Sequence, residues 1–168
     1  ETDAVEPASA VDDAAERYIE HAVNAVREQG IDFSGLTVAL DCAHGAACTT
    51  TPEALRRLGA EVIAINDEPD GTCINVNCGS THLEAVEQLL HESGADIALA
   101  HDGDADRLLA VAPDGTVIDG DYMLAMCAHD MKKRGVLTSN MVVSTVMANI
   151  GFTQAMQRDG IDFKHTAV

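Results

Sequence analysis

The sequence has no tryptophan, two tyrosines and three phenylalanines, so aromatic residues make up only 3% of its 168 positions. A core therefore has to be built from Ala, Val, Leu, Ile and Met. Hydrophobic residues at 46% supply enough of them for a globular chain rather than a disordered one. Positive charge is scarce as well. Ten Lys and Arg against 28 Asp and Glu give a formal net charge of −18. Such a surface repels a phosphate backbone, which argues against nucleic acid or an anionic membrane as partner. No apolar run approaches the roughly 20 residues that span a bilayer. The start, Glu1-Thr2-Asp3-Ala4, has neither the basic end nor the apolar stretch of a secretory leader. It also lacks an initiator methionine, so the chain is expected to be a piece of a longer one.

Cysteine is present but unsuited to a disulfide framework. Cys42, Cys48, Cys73, Cys78 and Cys127 are odd in number, several stand in apolar contexts, and the chain is long enough not to need staples. Reduced thiols in a cytoplasmic protein are expected. The length allows one domain with a full core and the beginning of a second.

Residues 1–10 read as a linker. A helical pattern follows from Val11 to Gln29, with Ala14, Tyr18, Ala22, Ala25 and Val26 as the apolar set. Leu36 to Asp41 reads as a buried strand, and Pro52 as a first-turn residue of a helix closing at Gly59. Glu61–Ile65 is a second strand, and the polar stretch 66–80 is a loop of a length that is usually functional or disordered. Ser80 or Thr81 is expected to cap a helix carrying Leu83, Val86, Leu89 and Leu90 on one face. Ile97 to Ala100 is a third strand. Pro113-Asp114-Gly115 between two apolar runs signals a hairpin. Asp119 or Asp121 should cap the next helix, with Met123, Leu124, Met126 and Cys127 as its apolar side.

This rhythm predicts a three-layer αβα domain over residues 11–138 with a small mixed, mostly parallel sheet. After residue 138 the pattern restarts as strand, helix, strand. Residues 139–168 read as the truncated start of a second, similar domain, with extra edge elements on the first sheet as the alternative.

The chemistry concentrates in His101-Asp102-Gly103-Asp104-Ala105-Asp106-Arg107. Three carboxylates at alternate positions repel one another, and a cation relieves that repulsion. Oxygen-only donors suit a hard divalent ion such as Mg²⁺. The cluster stands just after the third strand, where open α/β sheets place their ligands. A helix–loop–helix calcium site is excluded. Counted from Asp102, its sixth and twelfth positions need Gly and Glu but hold Arg107 and Pro113. Cys73, Cys78 and His82 with Cys42, His44 and Cys48 suggest a zinc set only weakly, because no C-x-x-C pair exists. His101 is read as a hydrogen-bond partner rather than a ligand. No nucleophile elbow, triad or Gly-rich phosphate loop is present.

Asp102-Gly103-Asp104-Ala105-Asp106-Arg107 resembles the metal-binding loop of the α-D-phosphohexomutase family. Ile74-Asn75, Cys78-Gly79-Ser80-Thr81-His82, Asp119-Gly120-Asp121-Tyr122 and Thr145-Val146-Met147-Ala148-Asn149 resemble its phosphoglucosamine mutase branch, with the phosphomannomutase/phosphoglucomutase branch as the alternative. The resemblance covers nearly the whole chain. It implies domain 2 and the opening of domain 3 of a four-domain enzyme. It further implies that Asp102, Asp104 and Asp106 each give an oxygen to Mg²⁺, and that Arg107 helps neutralise a phosphoryl group carried by a serine of domain 1. The implied reaction interconverts glucosamine 6-phosphate and glucosamine 1-phosphate through a bisphosphate. The implied partners are a sugar phosphate and the remaining domains. No loop resembling the family's active serine, sugar selector or phosphate grip occurs, and Ser80 stands in the wrong domain to be the nucleophile. The piece is expected not to catalyse alone. A non-catalytic metal-binding α/β module is the remaining alternative.

Overall fold

The computed structural model describes residues 11–168, so the expected linker at 1–10 lies outside the described residues. The first unit comprises α1 (Ala14–Arg27), β1 (Thr37–Asp41), α2 (Ala47–Arg57), β2 (Glu61–Ile65), α3 (Glu84–Ser93), β3 (Ile97–His101), β4 (Leu108–Val111) and β5 (Val117–Ile118). Its strands lie in the order β2-β1-β3-β4-β5. β1 pairs in parallel with β2 and with β3, and the β3-β4 and β4-β5 pairings are antiparallel.

β1 is central, and its residues from Val38 to Asp41 are all buried. Consecutive side chains of a strand point to opposite faces. Ala39 accordingly joins Val86, Leu90, Ala98, Ala100 and Val111 beneath α3, while Leu40 joins Cys42, Ala47 and Cys48 beneath α2. This is the αβα layering expected. The face of α3 is also as expected: Val86 and Leu90 are buried, and Leu83 and Leu89 pack beside them. Gly94 ends the helix in the left-handed region.

Four local expectations are corrected. The inward stripe of α1 is Ile19, Val23 and Val26, packed on Leu58, Phe33 and Ala54 of the α2 side, and Tyr18 is exposed. Spacings of four and three give that stripe, whereas the alanines lie around it. α2 starts at Ala47, five residues before Pro52, so Pro52 is interior rather than in the first turn. An interior proline costs about 3 kcal/mol through its missing donor and ring clash. The burial of Ala47 and Cys48 against Leu40 and Cys42 favours the earlier start. Ser80 and Thr81 do not cap α3. They form a 3₁₀ turn with Gly79, and Leu83 takes the N-cap position without a side-chain bond. Arg57 joins α1 to α2, its Nη2 bonding Glu16 at 2.9 Å and its Nε bonding Glu53 at 2.7 Å.

The later elements are α4 (Gly120–Lys133), β6 (Met141–Thr145), α5 (Ile150–Arg158) and β7 (Asp162–Thr166). β6 and β7 pair in parallel in a sheet of their own rather than extending the first sheet. Asp119 caps α4 by accepting the Tyr122 N–H at 3.0 Å, and Asn149 caps α5 by accepting the Phe152 N–H at 2.9 Å. The fourth correction concerns α4. Its packed face is Leu124, Ala125 and Ala128, while Met126 and Cys127 are exposed. That face meets Val142, Phe152, Met156 and Ile161, so α4 shares its core with β6, α5 and β7.

Leu90 is 1% exposed at the centre of the cluster beneath α3. Leu90→Ala is expected to lower the unfolding free energy by about 2–5 kcal/mol. Urea unfolding followed by circular dichroism measures it, and a loss below about 1 kcal/mol would contradict this packing.

Candidate functional site

The parallel registers bring the C-terminal ends of β1, β2 and β3 together, with Asp41 between Ile65 and Ala100. Three loops leave from there: 42–46, the long loop after Ile65, and 102–107. The last closes on itself. The Asp102 N–H donates to the Arg107 carbonyl at 3.4 Å, the Ala105 N–H to the Asp102 carbonyl at 3.1 Å, and the Arg107 N–H to Asp102 Oδ1 at 3.1 Å. This hairpin-like closure leaves Ala105 at φ +60°, a left-handed conformation unusual for alanine.

One oxygen from each of Asp102, Asp104 and Asp106 lies within 4.8 Å of the others. Asp102 is buried, and the other two are exposed. Among the described residues no other set of three Asp, Glu, His or Cys side chains comes close enough to share an ion. The three carboxylates are thus positioned to chelate a divalent cation, and hard oxygen donors suit Mg²⁺. Arg107 offsets part of the charge, its Nε lying 2.8 Å from Asp102 Oδ2 and 3.5 Å from Asp106 Oδ1. Its side chain is 75% exposed, so most of the guanidinium faces solvent. Burial acts to raise the pKa of Asp102. The Arg107 N–H and the Arg107 charge outweigh it and hold the carboxyl below the usual range.

His101 is not in the acidic cluster. Its Nε2 lies 3.2 Å from Thr51 Oγ1, and its Nδ1 is buried without a partner. Burial lowers its pKa, while the Arg107 backbone and the charges of Asp102 and Asp41 act against that. The thiols near the site are inert. Burial pushes Cys42 up to about 12 and also raises Cys48 and Cys78, which keeps them from being thiolates.

Three groups escape notice in the sequence. Asp41 ends an apolar strand and is fully buried. Its Oδ1 accepts the Ala43 N–H at 2.8 Å and the Asn66 Nδ2 at 3.0 Å, and its Oδ2 accepts the Gly79 N–H at 2.8 Å. The Ala46 N–H donates to the Gly103 carbonyl at 2.9 Å, joining the first loop to the acidic one. Gly45 lies so close to Gly103 that a Cβ on it would collide with the Gly103 carbonyl. The signal that could have found Asp41 is its type: a carboxylate ending a central buried strand has to be matched by donors.

The family model described as "Phosphoglucomutase/phosphomannomutase, alpha/beta/alpha domain II" matches residues 16–115, and the corresponding domain III model matches 119–168. A phosphoglucosamine mutase of Nocardia farcinica is 55% identical over 158 residues, 94% of this chain and 34% of that one. One from Symbiobacterium thermophilum is 51% identical over 156 residues, 93% of this chain and 34% of that one. A solved phosphoglucomutase/phosphomannomutase family protein from Burkholderia thailandensis shares the fold with a TM-score of 0.78 at 24% identity, covering 92% of this chain and 33% of that one. The chain spans about a third of the length of the curated relatives it matches.

The lowered pKa of His101 has a testable sign. The unfolded chain takes up a proton near pH 6.5, about the free value, which the folded site resists. This contribution to stability is fullest above that pH and declines as pH falls below it. The wild-type melting temperature should drop more steeply between about pH 7 and 5 than that of His101→Gln. Parallel slopes would contradict the assignment.

Proposed function

The chain belongs to the phosphoglucomutase/phosphomannomutase family of α-D-phosphohexomutases, and we propose that it is domain II and the opening of domain III of a phosphoglucosamine mutase. The observation that carries this reading is the acidic loop at the strand end, together with the identity to enzymes of that name across 94% of the chain. The parent reaction interconverts glucosamine 6-phosphate and glucosamine 1-phosphate. A phosphoserine outside this chain gives its phosphoryl to the sugar, forming a bisphosphate, and the serine then takes back the other phosphoryl. The substrate is a sugar phosphate, and the partners are the remaining domains.

Asp102, Asp104 and Asp106 are proposed to hold Mg²⁺. Three carboxylates against the one Arg107 guanidinium leave two negative charges uncompensated, and a divalent cation balances them. When bound, Mg²⁺ supplies positive charge beside the phosphoryl oxygens. Asp102 is held by the Arg107 N–H, while Asp104 and Asp106 are exposed and open to a group arriving from solvent. Arg107, the proposed catalytic residue, keeps an exposed guanidinium beside the carboxylates and stabilises charge on the transferring group.

The division between the two units is read ahead of α4, after β5 has closed the first sheet. Supporting it are the core that α4 shares with α5 and β6 and the ranges of the two family matches. A cytoplasmic setting suits five free cysteines. Among the described residues no helix is long and apolar enough to cross a membrane.

Calorimetric titration with Mn²⁺ or Mg²⁺ tests the metal reading. Wild-type chain should bind one ion, and Asp104→Asn should weaken binding at least tenfold without lowering the metal-free melting temperature, because Asp104 is exposed. Equal affinity in the variant would overturn the role of the loop. No mutase turnover above background is expected from this chain alone, and measurable turnover would contradict the placement of the nucleophile elsewhere.

A further inference from the structure

We propose that Asp41 is a positioning residue for the metal loop: its buried carboxylate ties together the three backbone segments against which residues 101–107 are seated. The proposal rests on the metal reading above for its functional meaning, and on geometry alone for its structural content.

Asp41 makes no contact with the acidic loop through its own carboxylate bonds. Its partners are the Ala43 N–H, the Asn66 amide and the Gly79 N–H, which lie 2, 25 and 38 residues away in sequence. Each partner leads to the loop. From Ala43 the chain reaches Gly45 and Ala46, which touch the Gly103 carbonyl. The Asn66 carbonyl accepts the His44 N–H at 2.8 Å, holding the same segment from the other side. Gly79 has φ +73°, and a Cβ there would come within 2.5 Å of the His101 carbonyl. The Asn75 N–H donates to the Ala43 carbonyl at 3.2 Å, which closes the ring of segments. The backbone of His101 to Gly103, which carries Asp102 and leads into Asp104, is therefore walled by segments that share one carboxylate.

The wall is held against local preference. Among the described residues, six of the eight with positive φ other than glycine are Ala43, His44, Asn66, Asn75, Asn77 and Ala105, all in these loops. Such conformations persist only where surrounding bonds impose them. The three bonds to Asp41 supply that constraint from a residue whose own strand is the middle of the sheet. A side chain serving only strand stability would not need to reach Gly79 on a loop that pairs with no strand.

Amide hydrogen exchange on the metal-free chain, with Mn²⁺ titration beside it, tests this. In Asp41→Asn one oxygen becomes an NH₂ that cannot accept, so either the Gly79 bond is lost or both the Ala43 and Asn66 bonds are. The expected result is exchange at least tenfold faster at the Ala46 and Arg107 amides, with α3 amides unchanged, and Mn²⁺ affinity at least tenfold weaker. Exchange faster everywhere would make Asp41 a general stabiliser and overturn the proposal. Faster exchange confined to Ala43 and Gly79 would overturn it too. Gly79→Ala, which leaves Asp41 intact but presses on the His101 carbonyl, should show the same loop-specific acceleration if Asp41→Asn does not fold. If wild-type chain binds no Mn²⁺, the metal reading fails, and the exchange pattern still decides the positioning role.

Discussion

A carboxylate with no solvent exposure at the end of a central strand must be supplied with hydrogen-bond donors, and in this chain the donors come from three separate places. Meeting that demand draws the loop after β1, the first residue after β2 and the 3₁₀ turn before α3 to one point. Once they are there, little freedom is left for the loop after β3. Glycine at positions 45 and 79 is then a steric requirement, because neighbouring carbonyls occupy the space of a side chain. Local strain, concentrated in left-handed alanine, histidine and asparagine, is the cost of this convergence.

The acidic loop depends on that frame because its own chemistry works against it. Three like charges held within 4.8 Å tend to spread apart. Arg107 and the N–H bonds to Asp102 restrain one of them, and the frame restrains the backbone at His101 and Gly103 that leads to the others. A loop free to relax would separate the charges and lose the geometry an ion needs. A loop fixed by neighbours keeps an oxygen-lined, electronegative position at the strand ends, where α/β sheets place their ligand chemistry.

Much of this was legible in sequence. The strands appear as apolar runs because parallel strands covered on both faces need no polar alternation. The acidic loop appears as charge density that no solvated surface requires. What was not legible depends on distance along the chain. Asp41 reads as the last residue of a strand, since nothing near it announces Asn66 or Gly79 as partners. Ser80 and Thr81 look like helix caps by type, yet Gly79 is pinned to Asp41 and the 3₁₀ turn there takes up both residues, so the helix starts at Glu84. Met126 and Cys127 look like core by type, but the face of α4 that meets Phe152 and Met156 is set by a partner helix whose position a helical period alone does not give.

Everything turns on whether Asp102, Asp104 and Asp106 hold a metal ion at the end of β3. Anomalous diffraction from crystals of this chain grown with saturating Mn²⁺ tests it most directly. One strong peak is expected, about 2.0–2.6 Å from oxygens of Asp102, Asp104 and Asp106. No peak at the loop, or a peak held by other residues while these three point apart, would contradict it.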